Sequence, residues 1–421
     1  MGKRIIFLTS YWDSRVDPTV VCTRAMVNQF VTNHYDVIVS TYWGRRKERY
    51  KSVDGYKVCY VRPPLTLTIF DAYYHSKNKV LKKFYYVIAK ITNTLHRLFT
   101  IANYPIDSAR FVKRWAKATD SLINMPEETI LVSVVNPENT IYVGEEVKKR
   151  NPKIKWILHY LDCGSNVLPG STFERFRRIL QSKSVSAENR ALSLSDKIIV
   201  MRGHYEYYFS HLSPLNVQKL LMADIPLLHD SPQVSASGNC FKFKDNLKVV
   251  YAGAMTGVYY DPKSICDYFA ALKKYIPNAT MDLYGITDKD TYLNEISNTG
   301  VGIKYHGAVQ HDLLKKIFSE ADILIYYKNE RIDSVSGKFF EYLSYLKPVI
   351  YYGIKRDINY NNVLRYDYGL SLDCKEDLDE NAKNTVSFLK SLEEKPPIDY
   401  ENIKEVFEMS LPSYAYSLIV S

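Results

Sequence analysis

The sequence predicts an α/β protein of two doubly wound parallel-sheet domains, and three observations carry that expectation. Short apolar, β-rich runs alternate with longer helical stretches along most of the chain, the pattern of successive βαβ units. With 421 residues there is enough chain for two domains with full cores. Between them, Ala223 to Asn246 holds Pro226, Pro232, several serines and Gly238, and reads as an interdomain linker over 223–246. The domains expected are therefore 1–225 and 247–398, with a helical tail over 399–421.

Composition narrows the class. Hydrophobic residues make up 46% and charged residues 24%, which argues against disorder. No apolar run approaches about eighteen residues, so no spanning helix is expected. The opening MGKRIIFLTS is too short for a signal-peptide core and reads as a first buried strand. Ile6 also breaks the myristoylation pattern. Six cysteines without a C-x-x-C pair point to reduced thiols in a cytoplasmic protein and not to metal ligands. The net charge of +10 calls for an acidic partner: nucleic acid, an anionic membrane surface or a phosphorylated substrate. The 36 tyrosines are spread along the whole chain and mark no single binding surface.

In the first domain, Arg4 to Thr9 reads as a strand, Ser10 to Asp17 as a polar loop, and a helix begins near Pro18 or Thr19. Asp36 to Thr41 is the next strand. The opening βαβ unit lacks G-x-G-x-x-G, so this is a Rossmann-like half without the dinucleotide fingerprint. A strand at Tyr56 to Val61 ends at Pro63-Pro64. An inserted helical stretch over about 76–118 follows, in which Lys79, Lys82, Lys83, Lys90 and Arg97 interleave with Val80, Leu81, Phe84, Val87, Ile88, Ile91 and Leu95. Such a segment can lie on an anionic membrane surface, or it can pack its apolar face inward with its lysines in water. Alternation resumes with Ile130 to Val134, a helix over Glu138 to Lys149, and Lys155 to Tyr160. That last strand leads into His159, Tyr160 and Asp162, at the end of a strand where doubly wound sheets bind ligands. A histidine on a buried strand is also commonly structural. A helix over Thr172 to Ser195 and the strand Lys197 to Met201 end at Arg202, placed to meet a phosphate.

The second domain opens with LKVVYAGAMTG: a buried strand, then Gly253 and a small-residue loop, then a helix from about Pro262. Thr280 to Tyr284 with Gly285, and Ile303 to His306 with Gly307, are further strands. Asp288-Lys289-Asp290 imitates a D-x-D metal motif, but helix capping explains it, and no catalytic metal is expected. The most informative stretch is Ala321 to Tyr352, ADILIYYKNERIDSVSGKFFEYLSYLKPVIYY. It reads as a strand, a loop, a helix from about Lys338 and a strand from Pro348. Ser334, Ser336 and Gly337 let an anion approach the first turn of the helix, where unpaired N–H groups and the helix dipole favour it. Lys338 and Glu341, three apart, share a face: a cation for phosphates and a carboxylate able to accept from a ribose diol. Equally, they can be a solvated pair contributing about 0.2–0.5 kcal/mol. A P-loop is excluded because Ile332 stands where its first glycine belongs and Phe339 where Ser or Thr belongs.

SVSGKFFEYLSYLKPVI resembles the S-x-x-K-x-x-E-Y-L-A-x-G-K-P-V-I stretch of GT-B glycosyltransferases, particularly those similar to glycosyltransferase family four. The resemblance implies two Rossmann-like domains facing across a cleft, with the C-terminal helices packing back on the first. It places the donor ribose on Glu341 and the diphosphate near Lys338, Ser334, Ser336 and Gly337. It also puts Gly253 at the diphosphate, with Thr256 or Lys263 assisting, and Gly307 and Val309 at the nucleobase. Asp333 takes the place of the second glutamate near the transferred sugar, and Ala254 that of an arginine. Leu346 replaces a glycine, implying a different helix end. The first domain would hold the acceptor through Arg15, Asp17, His159, Asp162 and Arg202, although Asp17 can equally cap a helix.

The function so implied is a metal-independent hexosyltransferase that needs no cofactor. It would move a sugar from a nucleotide diphosphate donor, UDP-linked, to a cell-surface polysaccharide or lipid-linked glycan. Retention is favoured, with catalysis by positioning and by stabilising the departing diphosphate; Asp333 leaves the stereochemistry open. Glu341, Lys338 and Asp333 are the candidate catalytic residues. The expected location is the cytoplasm, peripheral at the inner membrane face through about 76–100, with no nucleic acid as partner. A non-catalytic nucleotide- or membrane-binding subunit and a sugar-nucleotide epimerase remain the alternatives.

Overall fold

The computed structural model describes residues 3–10, 12–13, 18–42, 49–53, 55–76, 78–100, 105–106, 108–135, 138–162, 174–234, 241–257, 259–330 and 335–421. The chain divides into two compact units, Met1–Asp224 with Tyr416–Ser421, and Ile225–Ala415.

The first unit is built on an eight-stranded sheet of β1 (Arg4–Leu8), β2 (Asp36–Tyr42), β3 (Tyr50–Val53), β4 (Tyr56–Val61), β5 (Thr129–Val135), β6 (Lys155–Tyr160), β7 (Lys197–Met201) and β8 (Leu220–Ala223). Their spatial order is β3-β4-β2-β1-β5-β6-β7-β8. Only β3 runs antiparallel, against β4. Every residue of β5 is buried, which is why it reads as an unbroken apolar run instead of an alternating one. The sequence reading missed β3 and β8. β3 is mostly exposed and has no apolar face, and β8 is four residues long.

After a helix at Leu65–His75, the inserted stretch forms two more, Lys79–Thr100 and Ala109–Asp120. The last belongs to the core. Its Ser108 cap accepts from the Phe111 amide, it buries Phe111, Val112, Trp115 and Ala116, and the Trp115 indole donates to Ser40 Oγ at 2.9 Å. Tyr416, near the chain end, sits on Phe30 with ring centroids 4.7 Å apart, and Lys197 donates to the Leu418 carbonyl.

The second unit holds a six-stranded, all-parallel sheet of β9 (Lys248–Ala252), β10 (Thr280–Tyr284), β11 (Ile303–Tyr305), β12 (Ile323–Tyr327), β13 (Val349–Gly353) and β14 (Gly369–Asp373). The order β11-β10-β9-β12-β13-β14 reverses direction between β9 and β12. Open α/β sheets bind ligands at such a switch point, beyond the carboxyl ends of the strands.

Many of the tyrosines turn out to be core residues here. Tyr251, Tyr326, Tyr327, Tyr342 and Tyr351 are all buried. A buried hydroxyl needs a partner, and Tyr351 donates to Asp357 at 2.6 Å, Tyr327 to the Tyr260 carbonyl at 3.0 Å and Tyr251 to the Ala254 carbonyl at 2.7 Å.

Leu346 corrects one expectation. It keeps a φ of 53°, the left-handed conformation that a glycine adopts easily after a helix. The chain turn is therefore retained, and the leucine that makes it is buried. Cys22, Cys59, Cys266 and Cys374 are not in disulfide bonds. Among the described residues, no helix is long and apolar enough to cross a membrane.

Candidate functional site

Gly253 is the first residue beyond β9, on one side of the switch point. A Cβ added there would lie 2.0 Å from Lys338 Cε and 2.8 Å from the Tyr251 hydroxyl. Only glycine lets Lys338 run directly across the backbone at this point. Three strand-end glycines are tied together behind it. The Gly253 amide donates to the Tyr284 carbonyl, and the Gly285 amide donates to the Gly307 carbonyl, each at 2.8 Å. Gly285 has a φ of +141°, and a Cβ there would fall 1.8 Å from the Gly253 carbonyl oxygen. Gly307 has a φ of +71° and open space around it. Val309 lies in the loop that follows, half-buried.

Lys338 is the second residue of the helix Gly337–Leu343. Its ammonium sits 5.7 Å from the Tyr251 ring centroid and 5.5 Å from that of Tyr260, within cation–π range of both. Burial pushes its pKa down to about 8, the positive charge of Lys328 pushes the same way, and Glu341 opposes them. Lys328 is the first residue after β12, on the other side of the switch point, and is 1% exposed. The residues beside it are tied to the 259–261 loop: the Asn329 amide donates to the Tyr259 carbonyl at 2.9 Å, and Tyr327 reaches the Tyr260 carbonyl. Two cations crowded in a poorly solvated place favour an anionic ligand. Glu341 is half-buried one turn along from Lys338, on the same helix face.

Other details depart from the sequence reading. The helix is only seven residues long, so its dipole is small and the positive field comes chiefly from the lysines. The Ser336 amide already donates to Asn359 Oδ1 at 2.8 Å, and its hydroxyl makes no cap bond. Gly337 fits close packing, since a Cβ there would stand 2.9 Å from Leu227 Cδ1. Thr256 lies half-buried in the loop after Gly253. Asp288 does not cap the following helix, whose cap position is Lys289. It accepts instead from the Gly257 amide at 3.0 Å and so braces the same loop. Asp333 and Ser334 lie outside the described residues.

In the first unit, His159 is on β6, 1% exposed, with its Nδ1 unbonded among the described residues. Burial pushes its pKa down to about 4, so the ring is neutral at pH 7. Asp162 is exposed just past β6. Arg202, the first residue after β7, pairs with buried Asp224 at 2.9 Å. Arg15 and Asp17 lie outside the described residues. No group of three or more metal-binding side chains occurs among those described.

Sequence reasoning missed Lys328, Tyr251, Tyr260 and the bracing role of Gly285. A lysine placed directly after the apolar run of β12 was the available signal for the first; the others depend on non-local packing.

No protein-family model and no curated protein matches the chain. Solved structures do. A mutant of S. aureus TarM in complex with fondaparinux, α-GlcNAc-glycerol and UDP matches over 100% of both chains, at 11% identity and a TM-score of 0.58. A structure described as trehalose-6-phosphate from E. coli bound with UDP-2-fluoro glucose matches over 99% of both chains, at 9% identity and 0.55. The lipopolysaccharide outer core galactosyltransferase WaaB, in its apo form, matches over 99% of this chain and 97% of its own, at 9% identity and 0.53. With two parallel-sheet units and whole-length matches of this kind, the chain has the GT-B fold of glycosyltransferases.

Proposed function

We propose that this chain is a glycosyltransferase that moves a hexose from a UDP-linked donor to a cell-surface polysaccharide or lipid-linked glycan, with retention and without a metal. The observation that carries the reading is Lys338, laid across Gly253 at the β9–β12 switch point with Lys328 nearby. In the mechanism, Lys338 holds the diphosphate and stabilises the charge that develops as it departs, and Glu341 accepts from the ribose diol. The fold neighbours solved with UDP or a UDP-sugar analogue support the choice of nucleotide. An anionic membrane surface, where a lipid-linked acceptor would sit, is the proposed partner of the 76–100 segment.

Calorimetry with UDP, GDP and their sugars tests this. One diphosphate is expected to bind wild type, with Glu341→Ala weakening it at least about tenfold, or about 1.4 kcal/mol. Absence of any nucleotide binding by wild type would sink the reading.

The pH dependence has a definite sign. Lys338 is charged below about 8 in the empty site, and a bound diphosphate raises its pKa. Above about pH 7, where the terminal phosphate of UDP is ionised, UDP affinity is therefore expected to be flat up to about 8 and to fall beyond it, with proton uptake on binding around the break. Lys328→Met removes the neighbouring charge and should move this break to higher pH. Titrations in buffers of different ionisation enthalpy would measure both effects, and a break unmoved by the substitution would separate Lys328 from the site.

A further inference from the structure

We propose that the outward face of the helix Lys79–Thr100 docks on an anionic lipid bilayer. The inference deepens the membrane part of the function proposed above, and rests on it only for the choice of acceptor.

An ordinary amphipathic surface helix turns its apolar stripe to the core. This one does the reverse. Val80, Phe84, Val87 and Ile91 follow the i, i+4, i+7, i+11 spacing of a single helix face, and they are 77%, 57%, 49% and 55% exposed. Ala89, which lies on the opposite side of the helix at 3.6 residues per turn, is buried. Tyr85 and Thr92, which flank Ala89 on that side, are half-buried, whereas Tyr86, 5.8 Å from Tyr73 of the preceding helix, is itself 44% exposed. The apolar stripe is thus left in water, in a fold that had a smaller residue to bury instead. A contiguous exposed apolar stripe of this kind marks an interaction surface.

The charge beside the stripe selects the occupant. Lys83 and Lys90 fall together along one edge of it, Lys82 is exposed on the opposite side near Ala89, and the helix contains no carboxylate. Lys90 rests over the Tyr86 ring of its own helix, and Lys82 over the Tyr73 ring of the preceding one. Apolar side chains flanked by lysines match the boundary between acyl chains and acidic headgroups. A second copy of this chain would set lysines against lysines with no carboxylate on the helix to answer them. The helix is placed on the surface and not across it, since among the described residues no helix is both long and apolar enough to cross a membrane.

The test is sedimentation of the full chain with vesicles of phosphatidylcholine alone and of equimolar phosphatidylcholine and phosphatidylglycerol, at low and high salt. Wild type should partition onto the anionic vesicles only, and less so at high salt. The triple variant V80S/F84S/V87S should lose about tenfold or more of that partitioning, as should K83E/K90E, while K304E in the other unit should not. All these positions are exposed, so thermal melting should be unchanged. Equal partitioning of wild type onto both vesicles, or binding unaltered by the helix variants, would overturn the proposal. Velocity sedimentation showing a dimer that the serine variant abolishes would also overturn it, giving the face to a second copy. UDP titration of the same samples is independent, so failure here is distinguishable from failure of the transferase reading.

Discussion

Replacing Lys338 by methionine is expected to weaken UDP binding by about ten- to a hundredfold, because a hydrogen bond to a charged group contributes about 1.5–3 kcal/mol. Methionine keeps the length and most of the apolar contact with Tyr251 and Tyr260 but lacks the ammonium. The effect on folding should have the opposite sign. The folded pKa of Lys338 lies below the ordinary lysine value, so its charge disfavours the empty fold at neutral pH, and that cost fades as pH rises above about 8. Lys338→Met should therefore melt no lower than wild type at pH 7 while losing the nucleotide. Calorimetry and thermal melts on the same preparation separate the two effects. Wild-type UDP affinity in the methionine variant would remove Lys338 from the site.

Gly285→Ala is expected to have the largest effect on stability. Two penalties coincide there: a backbone φ of +141°, and a Cβ placed 1.8 Å from the Gly253 carbonyl oxygen. The obstructing atom is backbone, so nothing flexible can give way. The ends of β9 and β10 must separate, straining the bond from the Gly253 amide to the Tyr284 carbonyl. A loss of about 2–4 kcal/mol follows, which corresponds to a melting temperature lower by about 5–15 °C. Gly307→Ala, with a positive φ but open space, should cost only about 1–2 kcal/mol. Equal melting of the two variants would refute the packing argument.

Much of the second unit was legible in the chain because its strands are buried on both faces and bounded by glycines. Runs such as KVVYA and ILIYY stand out against their surroundings whatever the tertiary context. Lys338 and Glu341 were legible for a local reason: three residues apart on a helix, they must share a face. Other features were set by contacts between distant segments. Lys338 crosses Gly253 only because β9 and β12 are neighbours at the switch point, and no local spacing discloses that adjacency. Ser336 was read as a phosphate contact, but its amide is already bonded to Asn359, more than twenty residues away. The tyrosines, uniform along the sequence, become core in the second unit where packing supplies hydroxyl partners, at a distance in sequence for Tyr327 and within a few residues for Tyr251 and Tyr351.

The sequence by itself determined the α/β class, the strand-end positions of the glycines and the amphipathic character of the 79–100 helix, since periodicity and local spacing suffice for each. The tertiary structure decided which side of that helix packs inward. It also decided that Lys328 joins Lys338, and that Gly285 cannot be any other residue without strain. These depend on where distant backbone and side-chain atoms come to rest, and such positions follow from packing and not from pattern.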